Sequence, residues 1–109
     1  MPELREYLDS DGLSVFGRWF DELNAAAAAR VTTALARLAQ GNFSNVEPVG
    51  EGVGEYKIDF GPGYRLYFGQ DGRDIVILLL GGTKKRQARD IARAKEFWAD
   101  YRRRKRMEQ

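Results

Sequence analysis

The sequence predicts a single α+β domain, and two patterns carry that prediction. Apolar residues recur every three or four positions in residues 15–38 and again in 91–101, which indicates helices. Between them, residues 55–80 alternate apolar and polar side chains and are interrupted by turn residues, which indicates strands. A chain of 109 residues is long enough for one core, so we predict one domain over residues 1–109.

The amino-terminal part predicts an edge strand followed by a hairpin of two antiparallel helices. The strand is predicted for Leu4–Tyr7, and Ser14 is the predicted N-cap of the first helix. Asn24 separates the helices and caps the second, which runs over 25–40 and begins with five alanines that favour helix. The predicted inward stripe of this second helix consists of Val31, Leu35 and Leu38.

A loop, three strands and a last helix are predicted next. Residues 43–54 hold Pro48 and three glycines, so we predict a loop there. The run over 74–80 is apolar on both alternations, as expected of a central strand covered on two faces. We expect Gly81-Gly82 to end this strand and Thr83 to cap the last helix. The predicted inward residues of that helix are Ile91, Ala94, Trp98 and Tyr101.

The first two of these strands form a predicted hairpin whose register bears on function. A three-residue loop at 61–63 pairs Phe60 with Tyr64 and keeps the apolar side chains of both strands on one face. The polar positions then lie on the face away from the aromatic core. Their predicted cross-strand pairs are Lys57 with Tyr67 and Asp59 with Arg65.

Charge is distributed unevenly along the chain. Residues 1–83 hold 7 Lys and Arg against 12 Asp and Glu, whereas residues 84–109 hold 11 against 4. A basic segment suits an anionic partner such as nucleic acid, because Lys and Arg release the counterions condensed on phosphates. The alternative for residues 102–109 is a solvated, frayed tail, because blocks of like charge are commonly disordered.

Composition also excludes several classes of protein. The longest apolar run, Ile75–Leu80, is too short to span a bilayer, and no signal peptide is visible at the amino terminus. We therefore expect a cytoplasmic protein with no membrane partner. The chain has no His and no Cys, so its chemistry must rely on cations, carboxylates and hydroxyls, and we expect no metal and no cofactor.

Cationic side chains from three predicted elements form the candidate site. Lys57 and Arg65 lie on neighbouring strands, and Lys84 and Lys85 lie at the entrance of the last helix, where backbone N–H groups and the helix dipole favour anions. The two-pronged donors of Arg65 suit a phosphate. Lys57 is a candidate for proton transfer or for stabilising developing charge. We predict these four residues as catalytic. The predicted RNA-binding residues are Tyr67, Arg86 and Arg89.

Each of these residues also has a structural interpretation. Arg65 can pair with Asp59 across the strands, which would contribute about 0.2–1 kcal/mol. Lys57 can be an ordinary exposed strand lysine, and Tyr67 can shield the sheet surface. The sequence alone leaves these alternatives open. A structure that brings the cationic side chains to one location would favour the functional interpretation over the structural one.

Several segments of the chain, in order, resemble one protein family. The stretch from Glu55 to Gly69 resembles the central hairpin of the HigB-like toxins in the RelE/ParE superfamily. Further segments resemble the addiction module killer proteins of that superfamily, a phage-derived type: residues 38–43, 49–53, 81–85, 90–91 and 94–95. The resemblance implies a RelE-like fold, with an N-terminal strand, a two-helix hairpin, a three-stranded antiparallel meander and a C-terminal helix.

The same resemblance implies the toxin of a type II toxin–antitoxin pair. Such a toxin is an endoribonuclease that cleaves mRNA on the ribosome and inhibits translation, and its partner is an antitoxin, here expected to be a helix-turn-helix protein encoded next to it. Lys57 and Arg65 match basic positions of the RelE pattern, and Lys84 or Lys85 is the nearest match to its basic residue after the last strand.

The chain departs from that pattern at two places. Asp59 stands where a second basic residue is expected, and residues 89–91 lack the tyrosine that some relatives carry early in the last helix. These departures keep two alternatives open. One is a toxin of ParE type that blocks DNA gyrase, and the other is a non-catalytic nucleic-acid-binding module.

Overall fold

One five-stranded mixed sheet organises the chain in the computed structural model, which describes residues 1–108. The elements in chain order are β1 (Glu3–Glu6), α1 (Val15–Asp21), α2 (Ala25–Ala39), β2 (Val46–Gly50), β3 (Val53–Ile58), β4 (Tyr64–Asp71), β5 (Ile75–Thr83), a 3₁₀ turn (Lys84–Arg86) and α3 (Gln87–Met107). The strand order is β1-β5-β4-β3-β2, with β1 parallel to β5 and all other neighbours antiparallel. The α+β class is confirmed, but the sheet is larger than the predicted three-stranded meander.

The segment 43–54 holds a strand, so its prediction as a loop was wrong. β2 pairs with β3, with Val46 opposite Tyr56. Pro48 is tolerated because β2 is an edge strand, where a missing N–H leaves no partner unsatisfied. The turn into β3 is tight, and residues 50–52 all have positive φ, which the two glycines adopt at little cost.

The β3–β4 hairpin has a register two residues away from the predicted one. Lys57 lies opposite Arg65, and Ile58 lies opposite Tyr64. The chain turns earlier than expected, because the backbone N–H of Phe60 donates to the carbonyl of Ile58 at 3.0 Å. A shift of two residues moves no side chain to the other face, since side chains alternate with a period of two. The predicted faces are therefore confirmed although the register was wrong.

β5 continues through Gly81 and Gly82 to Thr83, so these glycines do not end the strand as predicted. A β-carbon on Gly81 would overlap the ring of Trp19, and one on Gly82 would overlap the carboxylate of Asp90. The glycines thus allow helices to approach the sheet closely from both sides. Thr83 precedes the 3₁₀ turn, but its side chain makes no capping hydrogen bond, so it does not cap the last helix.

Helices α1 and α2 cover one face of the sheet. The hydroxyl of Ser14 accepts from the Gly17 N–H at 2.8 Å, and the side chain of Asn24 accepts from the Ala27 N–H at 2.9 Å, so both predicted caps are confirmed. The buried cluster on this face consists of Phe16, Val31, Ala34, Leu38, Tyr56, Ile58, Leu66, Phe68, Val76 and Leu78. We call this side of the sheet the hairpin face, after the helices α1 and α2 that cover it.

Helix α3 covers the opposite side, which we call the α3 face. Its buried apolar cluster consists of Tyr7, Val53, Tyr67, Ile77, Leu79, Leu80, Ala94 and Trp98. The predicted inward residues are confirmed, because Ile91 and Tyr101 pack against that cluster. None of the helices in residues 1–108 is long and apolar enough to cross a membrane.

The basic carboxyl-terminal segment is helical rather than frayed. α3 continues to Met107, and residue 109 lies outside the described residues. Arg104 donates to the backbone carbonyl of Leu8 at 2.6 Å, and Lys105 forms an ion pair with Asp71. These contacts fix the last turns of the helix against the rest of the domain.

Candidate functional site

A groove of about 590 Å³ opens where the β3–β4 hairpin ends beside the 3₁₀ turn. Lys57 of β3, Arg65 of β4 and Lys84 of the 3₁₀ turn all line this groove, which we call the cationic groove. Three of the four residues predicted as catalytic therefore lie around one space, although they come from three different elements.

The backbone carbonyl of Gly63 holds two of these residues together. It accepts a hydrogen bond from Nη1 of Arg65 at 3.0 Å and another from the backbone N–H of Lys84 at 2.8 Å. Gly63 has a φ of 78°, and a β-carbon there would lie only 3.0 Å from Nη1 of Arg65. Glycine thus favours both the positive φ of the turn and the close approach of the guanidinium.

Arg65 forms the floor of the groove. Its residue surface is 8% exposed, and its Nε is buried with no hydrogen-bond partner within residues 1–108. The Arg65–Asp59 pair considered above is not formed, because Asp59 lies in the loop rather than opposite Arg65. A buried donor without a partner costs about 1–3 kcal/mol, so part of the donor capacity of Arg65 is unused.

Lys57 lies at the rim, opposite Arg65 across the strands. Its Nζ is 3.2 Å from the carboxylate of Glu47 on β2, and both side chains are largely exposed. Sequence reasoning missed Glu47 because Pro48 made this segment resemble a loop. The signal that would have found it is the pair of β-branched residues Val46 and Val49 beside the proline.

The remaining predicted residues lie elsewhere. Lys85 and Arg86 in the 3₁₀ turn and Arg89 in the first turn of α3 are exposed and do not line the groove. Tyr67, predicted to bind RNA, is fully buried beneath α3 and has no exposed surface that RNA could contact. Its hydroxyl donates to Glu55 at 2.9 Å, and burial together with this carboxylate raises the pKa of Tyr67.

Three residues with ionisable side chains are buried on the α3 face beside the groove: Glu55, Arg65 and Asp90. Glu55 also accepts from Nε2 of Gln87 at 2.9 Å, which ties the start of α3 to β3. Asp90 is 4% exposed, and its Oδ2 has no partner among the described residues. Burial raises the pKa of Asp90, while Arg93, Arg86 and Arg89 act in the opposite direction.

Sequence reasoning missed this polar interior because it left the face of Lys57 uncovered. Glu55 and Lys57 share one face by strand alternation, and that face was expected to be the outer one. α3 covers the Glu55 end of this face and leaves the Lys57 end open.

The basic segment 102–107 lies about 30 Å from Lys84, at the other end of a 21-residue helix.

Comparison with known proteins finds a bacterial relative. No family model matches the chain. An uncharacterized protein of Haemophilus influenzae is 41% identical to it over 81 residues, which are 73% of this chain and 82% of that protein. The chain belongs to the family of that protein. Since a shared fold does not fix a function, the activity of this family member has to be argued from its site.

The cationic groove can bind and stabilise an anion with several oxygens. Arg65 supplies guanidinium donors, and Lys57 and Lys84 add positive charge around the same space. Two carboxylates, those of Glu47 and Asp59, line the same groove and can accept protons. The arrangement therefore combines an anion site with proton acceptors and contains no imidazole or thiol.

Proposed function

We propose that this chain is the toxin of a type II toxin–antitoxin pair, a HigB-like member of the RelE/ParE superfamily that cleaves mRNA on the ribosome. The observation that carries the proposal is the convergence of Lys57, Arg65 and Lys84 on one groove. The resemblance of residues 55–69 to the central hairpin of these toxins supports it. So does the order of strand, two helices, antiparallel strands and final helix, which is the order of a RelE-like fold.

The proposed reaction is an attack within the RNA itself. The ribose 2′-oxygen forms a bond to the adjacent phosphorus, the bond from phosphorus to the 5′-oxygen breaks, and the proton of the 2′-hydroxyl ultimately reaches the leaving oxygen. Negative charge grows on the phosphate oxygens during this step, and donors placed around them lower its barrier. Arg65 and Lys84 supply such donors here.

In this proposal Lys57 exchanges its present partner, the carboxylate of Glu47, for a phosphate of the RNA. Its exposed ion pair with Glu47 contributes no more than about 1 kcal/mol, so a phosphate can replace Glu47 beside the ammonium group. In this arrangement Lys57 stabilises the phosphate or protonates the leaving oxygen, while Glu47 and Asp59 are the carboxylates that can accept the 2′-hydroxyl proton.

Induced expression of single variants tests the site. Lys57→Ala, Arg65→Lys and Lys84→Ala should each reduce the rate of mRNA cleavage by about 100-fold or more and relieve growth arrest, as loss of one transition-state donor does elsewhere. Lys85→Ala is the matched control, because Lys85 neighbours Lys84 but lies outside the groove. It should cleave normally. Unchanged cleavage and growth arrest in the Lys57 and Arg65 variants would refute the proposed site.

The proposed partner is a small helix-turn-helix antitoxin that binds over the cationic groove. Co-expression with the product of the adjacent gene should restore growth and yield a stable complex on purification. In that complex, the groove should be protected from a lysine-specific reagent at Lys57 and Lys84. Equal labelling of both lysines in the free chain and the complex would place the partner elsewhere.

One observation favours a second candidate. Asp59 places an acidic side chain in the groove where the resemblance expects a basic one. This suits a toxin that blocks a protein, as relatives of ParE type do with DNA gyrase, or a non-catalytic nucleic-acid-binding module. A DNA-damage response without mRNA cleavage would favour the gyrase-blocking toxin. Salt-sensitive RNA binding without toxicity would favour the binding module.

A further inference from the structure

A second, smaller depression of about 160 Å³ adjoins the cationic groove between α2 and β3. Arg30 and Arg37 line it from α2. Residues 57–59 together with Asn45 line both this depression and the cationic groove. The two therefore adjoin at the end of β3, and Lys57 is one of the residues between them.

Arg30 and Arg37 are exposed, and no acidic side chain of the described residues pairs with either of them. They are seven residues apart, which places them on one side of α2 and about 10 Å apart along its axis. The guanidinium of Arg30 lies 4.4 Å from the centre of the Phe60 ring. This contact orients the group and leaves the donors at its edge available.

We propose that Arg30 and Arg37 form a second phosphate subsite, so that a bound single-stranded RNA bends around the end of β3 from the cationic groove onto α2. This inference rests on the proposed function, because it takes RNA as the ligand of the groove. The cationic residues along the whole path are Arg30, Arg37, Lys57, Arg65 and Lys84, against the acidic residues Glu47 and Asp59. A polyanion can follow such a path, whereas a single small anion would occupy only one end of it.

The subsite predicts a dependence on RNA length. A trinucleotide should fill the cationic groove alone, whereas an octanucleotide should also reach α2. Arg30→Gln combined with Arg37→Gln should therefore weaken binding of the octanucleotide by on the order of tenfold and leave the trinucleotide unaffected. Two lost phosphate contacts should also reduce the slope of log affinity against log salt by about 1.4 for a single strand.

The measurement is fluorescence anisotropy on the full chain with 2′-O-methyl RNA, which lacks the attacking hydroxyl and is not cleaved. The matched control is the pair Arg18→Gln and Arg73→Gln, which removes the same charge from exposed residues outside both depressions. The control should keep octanucleotide affinity within about twofold. All four positions are exposed, so thermal melting should show each pair folded.

Four results would overturn the inference. Equal losses in the two double variants would mean that only overall charge matters. An equal loss for the short and long RNA would mean that α2 offers no separate subsite. If Lys57→Ala and Arg65→Lys weaken both RNAs while the α2 variant matches its control, the subsite is refuted and the proposed function stands. If the wild-type chain binds neither RNA, the subsite is refuted, and the cleavage assay on the Lys57 and Arg65 variants decides the proposed function.

Discussion

The two faces of the sheet are built from different chemistry. The hairpin face buries an apolar cluster that includes Phe16, Leu38 and Leu66, with no charged residue among its buried members. The α3 face buries a carboxylate at Glu55 and a guanidinium at Arg65 in addition to its apolar residues. Burial of apolar area is the main source of stability, whereas buried charge is costly unless it is well paired. Apolar burial on both faces therefore stabilises the fold, and the buried charged residues of the α3 face position the candidate site.

The polar interior of the α3 face has a positional role. Glu55 joins β3, β4 and α3 through its bonds from Tyr67 and Gln87. Gln87 follows directly after the 3₁₀ turn that carries Lys84. The network thus fixes the position of the first turn of α3 relative to Arg65. Hydrogen bonds are directional, so they define this position more precisely than apolar packing alone would.

The largest expected effect is on the hairpin face, where Gly81→Ala should disrupt packing. The added carbon overlaps the ring of Trp19, so we expect a loss of about 3 kcal/mol in the free energy of unfolding, measured by urea titration. Combining it with Trp19→Leu should recover part of this loss, because the smaller side chain makes room. Wild-type stability in the single variant would show that this face is not tightly packed.

A pair of tyrosine variants compares the faces directly. Tyr67→Phe removes a buried donor to the Glu55 carboxylate and should cost about 2 kcal/mol. Tyr56→Phe, on the hairpin face, removes only a 3.3 Å bond from the amide of Asn45 and should cost about 0.5 kcal/mol. Both values come from urea unfolding. Equal costs would remove the distinction between a polar and an apolar face.

Asp90→Asn should stabilise the protein by about 1 kcal/mol at pH 7. Burial raises the pKa of Asp90 above its ordinary value of 3.8, so the folded state binds its proton more tightly than the unfolded state does. Stability from this group is therefore complete below that ordinary value and is lost as the pH rises through the folded pKa. The variant should flatten this decline in unfolding measured against pH. A steeper decline would contradict the assignment.

The smallest expected effect is at the rim of the cationic groove, where the side chains of Lys57 and Glu47 are exposed. Glu47→Gln breaks the exposed pair with Lys57 and should change stability by less than about 0.5 kcal/mol. The same variant frees the ammonium group and should strengthen binding of 2′-O-methyl RNA. Weaker binding would indicate that Glu47 contacts the RNA rather than competing with it.

Features set by local chemistry were predictable from the sequence. The caps at Ser14 and Asn24 depend on side chains three residues from their partners, and both were found. β2 was missed because Pro48 is a breaker in most strands and is tolerated here only at an edge. Gly81 and Gly82 were misassigned because they are needed for tertiary contacts, with Trp19 of α1 and with Asp90 of α3, that no local pattern shows.

The shared location of Lys57 and Arg65 was predictable because it depends on strand alternation, which is also a local property. Lys57 and Arg65 stay on one face in any register that differs by two residues, so an error in the turn did not separate them. The burial of Tyr67 and Glu55 was not predictable, because it depends on where α3 crosses the sheet. That crossing is decided by tertiary packing around Trp98 rather than by a local pattern.

The parallel pairing of β1 with β5 has a consequence for synthesis. Leu4 pairs with Val76, so the first strand to leave the ribosome must wait for the last strand before it gains a neighbour. Trp19 likewise waits for Gly81. Such long-range contacts close late, which slows folding and ties it to completion of the chain. A nascent product that stops before residue 75 should stay unfolded and be cleared by proteases.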